Sequence, residues 1–165
     1  MIIILMGVSG VGKSTVGALL AQKLGMPFIE ADDYHTAANV KKMQSGIPLT
    51  DADRLPWLHT LADTIRHWQE RGESGVLACS ALKESYREIL GNAEQGVRYV
   101  CLLDSANRIR ARLTQRQGHF MPPSLLDSQL ATLEVPTEAI QVSAAQPPER
   151  IAAIICQRLG PVSAP

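Results

Sequence analysis

The sequence predicts an α/β protein, a five-stranded parallel sheet with helices on both faces. Two observations carry that expectation. Short apolar runs alternate with amphipathic stretches along the whole chain, the pattern of a parallel sheet covered on both sides. A glycine-rich stretch, GVSGVGKST at Gly7–Thr15, leaves the first apolar run and opens the first amphipathic one. Sheets of this class bind ligands where such loops lie, at the carboxyl ends of the strands. With 165 residues, 45% of them hydrophobic, the chain fits one domain with a substantial core. Residues 1–160 are expected to form that domain, with a flexible tail at 161–165.

The elements follow in order. IIILM is the first strand, and Lys13–Leu24 places Val16, Leu19, Leu20 and Leu24 on one helical face. Gly25 and Pro27 stop that helix. FIEA is a second strand. A long helix around Trp57–Arg71 aligns Leu58, Leu61, Ile65 and Trp68, and Gly72 ends it. VLACS is a third strand, with Ser80 placed to cap a helix running through Leu90. VRYVCLL is a fourth strand, and Asp104 or Ser105 caps the helix that carries Ile109 and Leu113. Ser124–Asp127 matches a capping box for a helix through Glu134. AIQV is a fifth strand, and Pro148 opens a last helix with Ile151, Ile154, Ile155 and Leu159 on one face.

Composition narrows the functions. Sixteen Lys plus Arg balance sixteen Asp plus Glu, so no basic surplus points to nucleic acid. Cys79, Cys101 and Cys156 each sit in apolar surroundings, as buried thiols do in a reducing cytoplasm. The opening MIIILMG has no basic flank, and its apolar run ends at a glycine after six residues. It reads as a buried strand rather than a leader or an anchor.

Gly7–Ser14 fits G-x-x-x-x-G-K-[ST] at every position, between a strand and a helix. Glycines let backbone N–H groups wrap phosphate oxygens, and the helix N-terminus adds positive potential. The stretch Gly7, Val8, Ser9, Gly10, Val11, Gly12, Lys13, Ser14 and Thr15 is thus the expected site of a nucleoside triphosphate, which the resemblance given below makes ATP. Lys13 bridges the β- and γ-phosphates, and the Ser14 hydroxyl is a ligand for Mg²⁺. A glycine-rich turn without ligand would explain the glycines but not Lys13 and Ser14 together.

Other candidates follow strands. In FIEADDYH, Asp32 comes first after the apolar run. A carboxylate there can face the γ-phosphate, take a proton from a substrate hydroxyl and orient hydrated Mg²⁺ through water. Asp33 is equally well explained as a solvated turn residue. In GIPLTDADRLPWL, Asp51 and Asp53 suit a helix start, whereas Arg54 opposes the dipole and calls for an anion, either Asp51 or a substrate carboxylate. Pro56 is tolerable only near the first turn. Lys83 and Arg87 lie one turn apart beyond the third strand, and either suits a substrate contact or a solvated basic face. Arg108, Arg110, Arg112 and Arg116 approach a Gly-Pro stretch near 115–124 that reads as a short lid. Arg112 and Arg116 are nearest it and are placed to clamp phosphate.

MGVSGVGKST, DDYH, KKMQSGIPLTDADRLPWL, CSALKESYR and RQGHFMPPSLLDSQLATLE together resemble the gluconokinase family of small P-loop kinases. The stretches cover most of the chain in the family's order. The resemblance implies a P-loop NTPase fold of the nucleoside-monophosphate-kinase type, often homodimeric, and ATP- and Mg²⁺-dependent phosphorylation of D-gluconate to 6-phosphogluconate. Carried over by position, Gly7–Ser14 bind the ATP phosphates, Asp32 is the base, and Arg54, Lys83 and His35 contact substrate. The family pattern has glycine before the aspartate, leucine before the histidine and proline after it, where this chain has Ala31, Tyr34 and Thr36. The residues themselves suit gluconate, a carboxylate with a polyol tail, better than a nucleobase. With two Trp, three Tyr and two Phe in all, stacking surface is scarce. A same-fold kinase for another hydroxy acid such as shikimate, and an ATP-binding regulatory module without catalysis, are the alternatives.

Overall fold

Ile2–Met6 (β1) is apolar at all five positions, and all five side chains are buried. A strand covered on both faces has no polar side to alternate with. In the computed structural model, which describes residues 1–115 and 122–161, β1 is the centre of a parallel sheet. The other strands are Phe28–Glu30 (β2), Gly75–Ala78 (β3), Val97–Leu103 (β4) and Ile140–Ser143 (β5). Their order is β2-β3-β1-β4-β5. Connections from β1 lead to one edge and those from β3 and β4 to the other, so a crevice opens at the carboxyl ends.

The helices are Lys13–Leu24 (α1), Ala37–Gln44 (α2), Asp51–Glu70 (α3), Glu84–Leu90 (α4), Ala106–Gln115 (α5), Leu126–Thr132 (α6) and Pro148–Leu159 (α7). α1 packs on α7, and α3 packs on α4. Among the described residues no helix is long and apolar enough to cross a membrane. Gly7 ends β1 at φ 138°, and a Cβ there would lie 2.8 Å from the Leu102 carbonyl oxygen. Only glycine lets the chain turn this close to β4.

Several boundaries differ from expectation. α2 is an addition. Thr36 caps it by accepting from the Asn39 N–H at 3.1 Å, and with Val40 and Met43 its only large apolar side chains it shows little helical periodicity. α3 starts at Asp51 rather than Trp57, so Pro56 lies a full turn inside it. Ser80 caps nothing. α4 begins at Glu84, whose N–H donates to the Glu134 carboxylate at 2.6 Å. A carboxylate fifty residues downstream replaces the local cap. Ser124–Asp127 forms no capping box, because a 3-10 turn at Pro123–Leu125 leads into α6. Asp127 instead pairs with Arg110 at 3.1 Å. Ser105 does cap α5, accepting from the Arg108 N–H.

Asp53 binds the start of α3 to α2. Its carboxylate accepts from the Thr50 N–H at 2.9 Å and from Lys42 Nζ at 2.7 Å, while its own N–H donates to Thr50 Oγ1. The Lys42 and Thr50 hydrogen bonds hold the Asp53 carboxyl at about 2, below its ordinary 3.8. The unfolded chain therefore binds the proton first as pH falls, and this contribution is present above about 4 and lost on the way to 2. Asp53→Asn should lower the melting temperature at pH 7 and flatten its dependence on pH between about 4 and 2. Parallel pH profiles for variant and parent would show that Asp53 carries none of the acid sensitivity.

Candidate active site

The loop after β1 and the start of α1 form a cradle. Ser9, Gly10, Gly12, Lys13 and Ser14 line one side of it, and Glu30 and Asp32 from the end of β2 line the other. Val8 and Val11 bury their side chains beneath the loop, and Thr15 is exposed on α1. Lys13 Nζ donates to the Val8 carbonyl at 3.0 Å, so the loop curls around its own lysine. Ser14 Oγ donates to the Glu30 carboxylate. Burial pushes the Glu30 carboxyl up; the Ser14 hydrogen bond opposes this and the Asp32 charge adds to it. Glu30 was hidden in the sequence as the last residue of a strand.

A second cleft opens beside the cradle, its lining part polar and part apolar. Asp32, His35, Arg54 and Ser128 face it together with Trp57 and Leu82. Asp32 and His35 come from the 3-10 turn that follows β2 and from the residue after it. The imidazole stacks on Trp57 at 4.2 Å with 15° between planes, and Trp57 Nε1 donates to the Ala31 carbonyl at 2.7 Å. His35 Nε2 is 4.0 Å from Asp32 Oδ1. Burial lowers the pKa of His35 against the opposing pull of the Asp32 charge. The ring is therefore neutral at pH 7 and can donate to or accept from a hydroxyl.

The three departures around this turn fit the structure. Ala31 is fully buried and supplies the carbonyl that fixes Trp57. Thr36 provides the cap of α2 that proline would lack a side-chain oxygen to make. Tyr34 is 37% exposed.

Arg54 lines the cleft. Nη1 donates to the Leu49 carbonyl at 2.6 Å and to the Tyr86 hydroxyl at 3.1 Å, and the guanidinium carbon is 5.5 Å from the Tyr86 ring centre. Among the described residues no carboxylate forms an ion pair with it. Asp51, the protein partner the sequence offered, is held by Lys83 at 2.9 Å and by the Tyr86 hydroxyl. Those two hydrogen bonds, Tyr86 first, lower the pKa of Asp51.

Two of the candidate cations lie outside the cleft walls. Lys83 is tied to Asp51. The Arg87 guanidinium is buried and donates to the carbonyls of Ala81 at 2.9 Å and Leu82 at 3.3 Å. Ala81 has φ 42°, a strained value for a residue with a Cβ, and Arg87 secures that turn next to Ser80. Arg112 reaches the Val11 carbonyl at 3.4 Å, the Ala144 carbonyl at 2.9 Å and the Asp104 carboxylate at 2.8 Å. Burial pushes the Asp104 carboxyl up, but the hydrogen bonds from Arg108 and the Ser105 N–H and the Arg112 charge outweigh it, so its pKa is lowered. Arg116, His119 and most of the proposed lid lie outside the described residues, as do 162–165 of the tail.

A family model described as an AAA domain matches residues 2–136. A gluconokinase of Gluconobacter oxydans is 49% identical over 150 residues, which cover 89% of this chain and 84% of that one. Among solved structures, an unliganded sugar kinase from Janibacter sp. superposes with a TM-score of 0.85 at 44% identity, covering 96% of this chain and 93% of the other. A gluconokinase from Sinorhizobium meliloti gives a TM-score of 0.77 at 43% identity, covering 95% and 94%. Likeness of this extent over most of both chains means that the chain belongs to the gluconokinase family of P-loop kinases.

Proposed function

We propose that this protein transfers the γ-phosphoryl group of ATP to a hydroxyl of D-gluconate, giving 6-phospho-D-gluconate. One observation carries the mechanism: Asp32 lines both the phosphate cradle and the neighbouring cleft. A hydroxyl bound in the cleft can therefore face a γ-phosphate in the cradle with a carboxylate beside both. Asp32 accepts the hydroxyl proton as the new P–O bond forms and the bond from the γ-phosphorus to the β–γ bridging oxygen breaks. Lys13 and the N-terminus of α1 stabilise the charge that develops on the transferring group. Neutral His35, held against Trp57, fixes the polyol chain. Arg54 presents a planar fork that fits the carboxylate of the acid. Arg112 binds the nucleotide side of the loop, and Arg116 supplies a further cation to the phosphates.

The donors in the cradle suit Mg²⁺. Ser14, Glu30 and Asp32 offer hard oxygens. Among the described residues no three His, Cys, Asp or Glu converge on a metal position, so the ion would rest on phosphates and water, with Ser14 direct and Asp32 through water. Bound there, Mg²⁺ neutralises β- and γ-phosphate charge. The free thiols of Cys79, Cys101 and Cys156 support a reducing cytoplasm as its compartment. The homodimer that the resemblance implies is read by light scattering.

An ADP-release assay with gluconate, glucose, shikimate and no acceptor tests the reading. Gluconate should support turnover and the other three should not. Shikimate turnover above gluconate, or ATP binding without acceptor-dependent ADP release, would replace it with one of the alternatives. Arg54→Lys keeps the charge and loses the fork, so kcat/KM for gluconate should fall at least about 30-fold, roughly 2 kcal/mol, with less effect on ATP. Unchanged kinetics would place the carboxylate elsewhere.

A further inference from the structure

Besides Asp32, which lines both, a hydrogen bond between residues far apart in the chain joins the cradle to the cleft. The backbone N–H of Ser9 donates to Gln129 Oε1 at 2.6 Å, across 120 positions. Both residues are 8% exposed. Ser9 belongs to the wall of the phosphate cradle, and Gln129, on α6, belongs to the wall of the neighbouring cleft. A buried hydrogen bond of this length is expensive to break, because its loss leaves a desolvated N–H without a partner.

The neighbouring loop residues are held by α5. Gly10 has φ 81°, and a Cβ there would lie 2.7 Å from Leu113 Cγ of α5. Val11 accepts from Arg112 of the same helix. Residues 9, 10 and 11 of the loop are thus fixed by α6, α5 and α5 in turn. Among the described residues, the α6 contact is the one of these made by a side chain that also faces the cleft. Leu125 and Ser128, next to Gln129, line that cleft as well.

We infer that Gln129 is a positioning residue for phosphoryl transfer: it joins the acceptor wall to the phosphate loop, so that each ligand's binding sets the alignment of the other. The inference rests on gluconate as the acceptor. A bound acid presses on α6 at Ser128 and Gln129, and the hydrogen bond to Ser9 passes that constraint to the loop that holds the γ-phosphate. By linkage the coupling is reciprocal, and nucleotide must tighten gluconate by the factor with which gluconate tightens nucleotide. Alignment of the two reacting groups governs turnover more than affinity.

The test compares the unaltered enzyme with Gln129→Met, which keeps the length and loses the acceptor oxygen, and Gln129→Glu, which keeps that oxygen. Titration calorimetry measures gluconate affinity with and without a non-hydrolysable ATP analogue, and steady-state kinetics gives kcat and KM. Turnover of gluconate by the unaltered enzyme tests the underlying reading separately. With that turnover present, the unaltered enzyme should show at least fivefold coupling. Gln129→Met should reduce coupling to within twofold of none and lower kcat by about 10-fold or more, a larger change than in either KM. Gln129→Glu should retain coupling. Absence of coupling in the unaltered enzyme, or full coupling and kcat in Gln129→Met, overturns the inference, as does equal loss in both variants. Should Gln129→Met not fold, hydrogen exchange of the Ser9 amide in the unaltered enzyme decides: gluconate alone should slow it at least threefold, and no change overturns the proposal.

Discussion

Lys13→Ala is expected to lower kcat/KM at least about 100-fold, close to 3 kcal/mol of transition-state stabilisation, while the fold survives. The loss arises because the ammonium is the one side-chain charge that the loop wraps, 3.0 Å from the Val8 carbonyl and at the first residue of α1. Charge spreading onto the transferring phosphoryl oxygens meets this cation in a site already organised around it, with no reorganisation left to complete. Stability should change little, because alanine is a better helix former than lysine and the core beneath the loop is made by Val8, Val11 and Val16. Turnover at saturating gluconate, together with a thermal melt, separates the two effects. Near-normal turnover in a folded variant would remove Lys13 from the chemistry.

Much of this site was legible because its parts are local. A glycine loop between strand and helix carries its own geometry, and Asp32 follows the strand directly. What the sequence hid is what depends on contacts across the chain. Glu30 reads as a strand residue until Ser14 is seen to donate to it. Gln129 reads as a polar residue on a short helix, and nothing local points to Ser9. Arg87 and Lys83 carry the same charge at one-turn spacing, yet one is consumed by the carbonyls of a strained turn and the other by Asp51. Choosing between them requires knowing which partner each meets.

The same holds for caps. Thr50 and Asp53 form a reciprocal box within four residues, and T-x-x-D preceding the long helix was available as a signal. α4 could not be delimited that way, because its first free N–H is satisfied by Glu134. The fold class was legible from alternation alone. The strand order was not, since which strands lie side by side is decided by contacts far apart in the chain, and the pairing of β1 with both β3 and β4 puts it in the centre.

Asp32→Asn should be the most damaging single change, lowering kcat by about 10²–10⁴-fold while ATP affinity moves only a few-fold. The substitution preserves volume and removes both the base and the negative charge. Nucleotide contacts belong mainly to the loop and α1, so binding is spared. The proton of the attacking hydroxyl then meets no carboxylate that faces the cleft as well as the cradle, since Glu30 lines the cradle alone. His35, 4.0 Å away, does not inherit the task. Its neutral ring has a proton-accepting nitrogen, but Asp32 supplies the charge that opposes the effect of burial on its pKa. Without that charge the imidazole becomes a weaker base still. Asp33 is the built-in control. Both aspartates follow the same strand, yet Asp33 is exposed and lines neither the cradle nor the cleft, so Asp33→Asn should stay within about threefold of the parent. Single-turnover measurements with saturating ATP and gluconate place the loss on the transfer step rather than on product release. A crippled Asp33→Asn beside a nearly active Asp32→Asn would show that the other carboxylate is the base, and a loss confined to the KM for gluconate would make Asp32 a binding residue only.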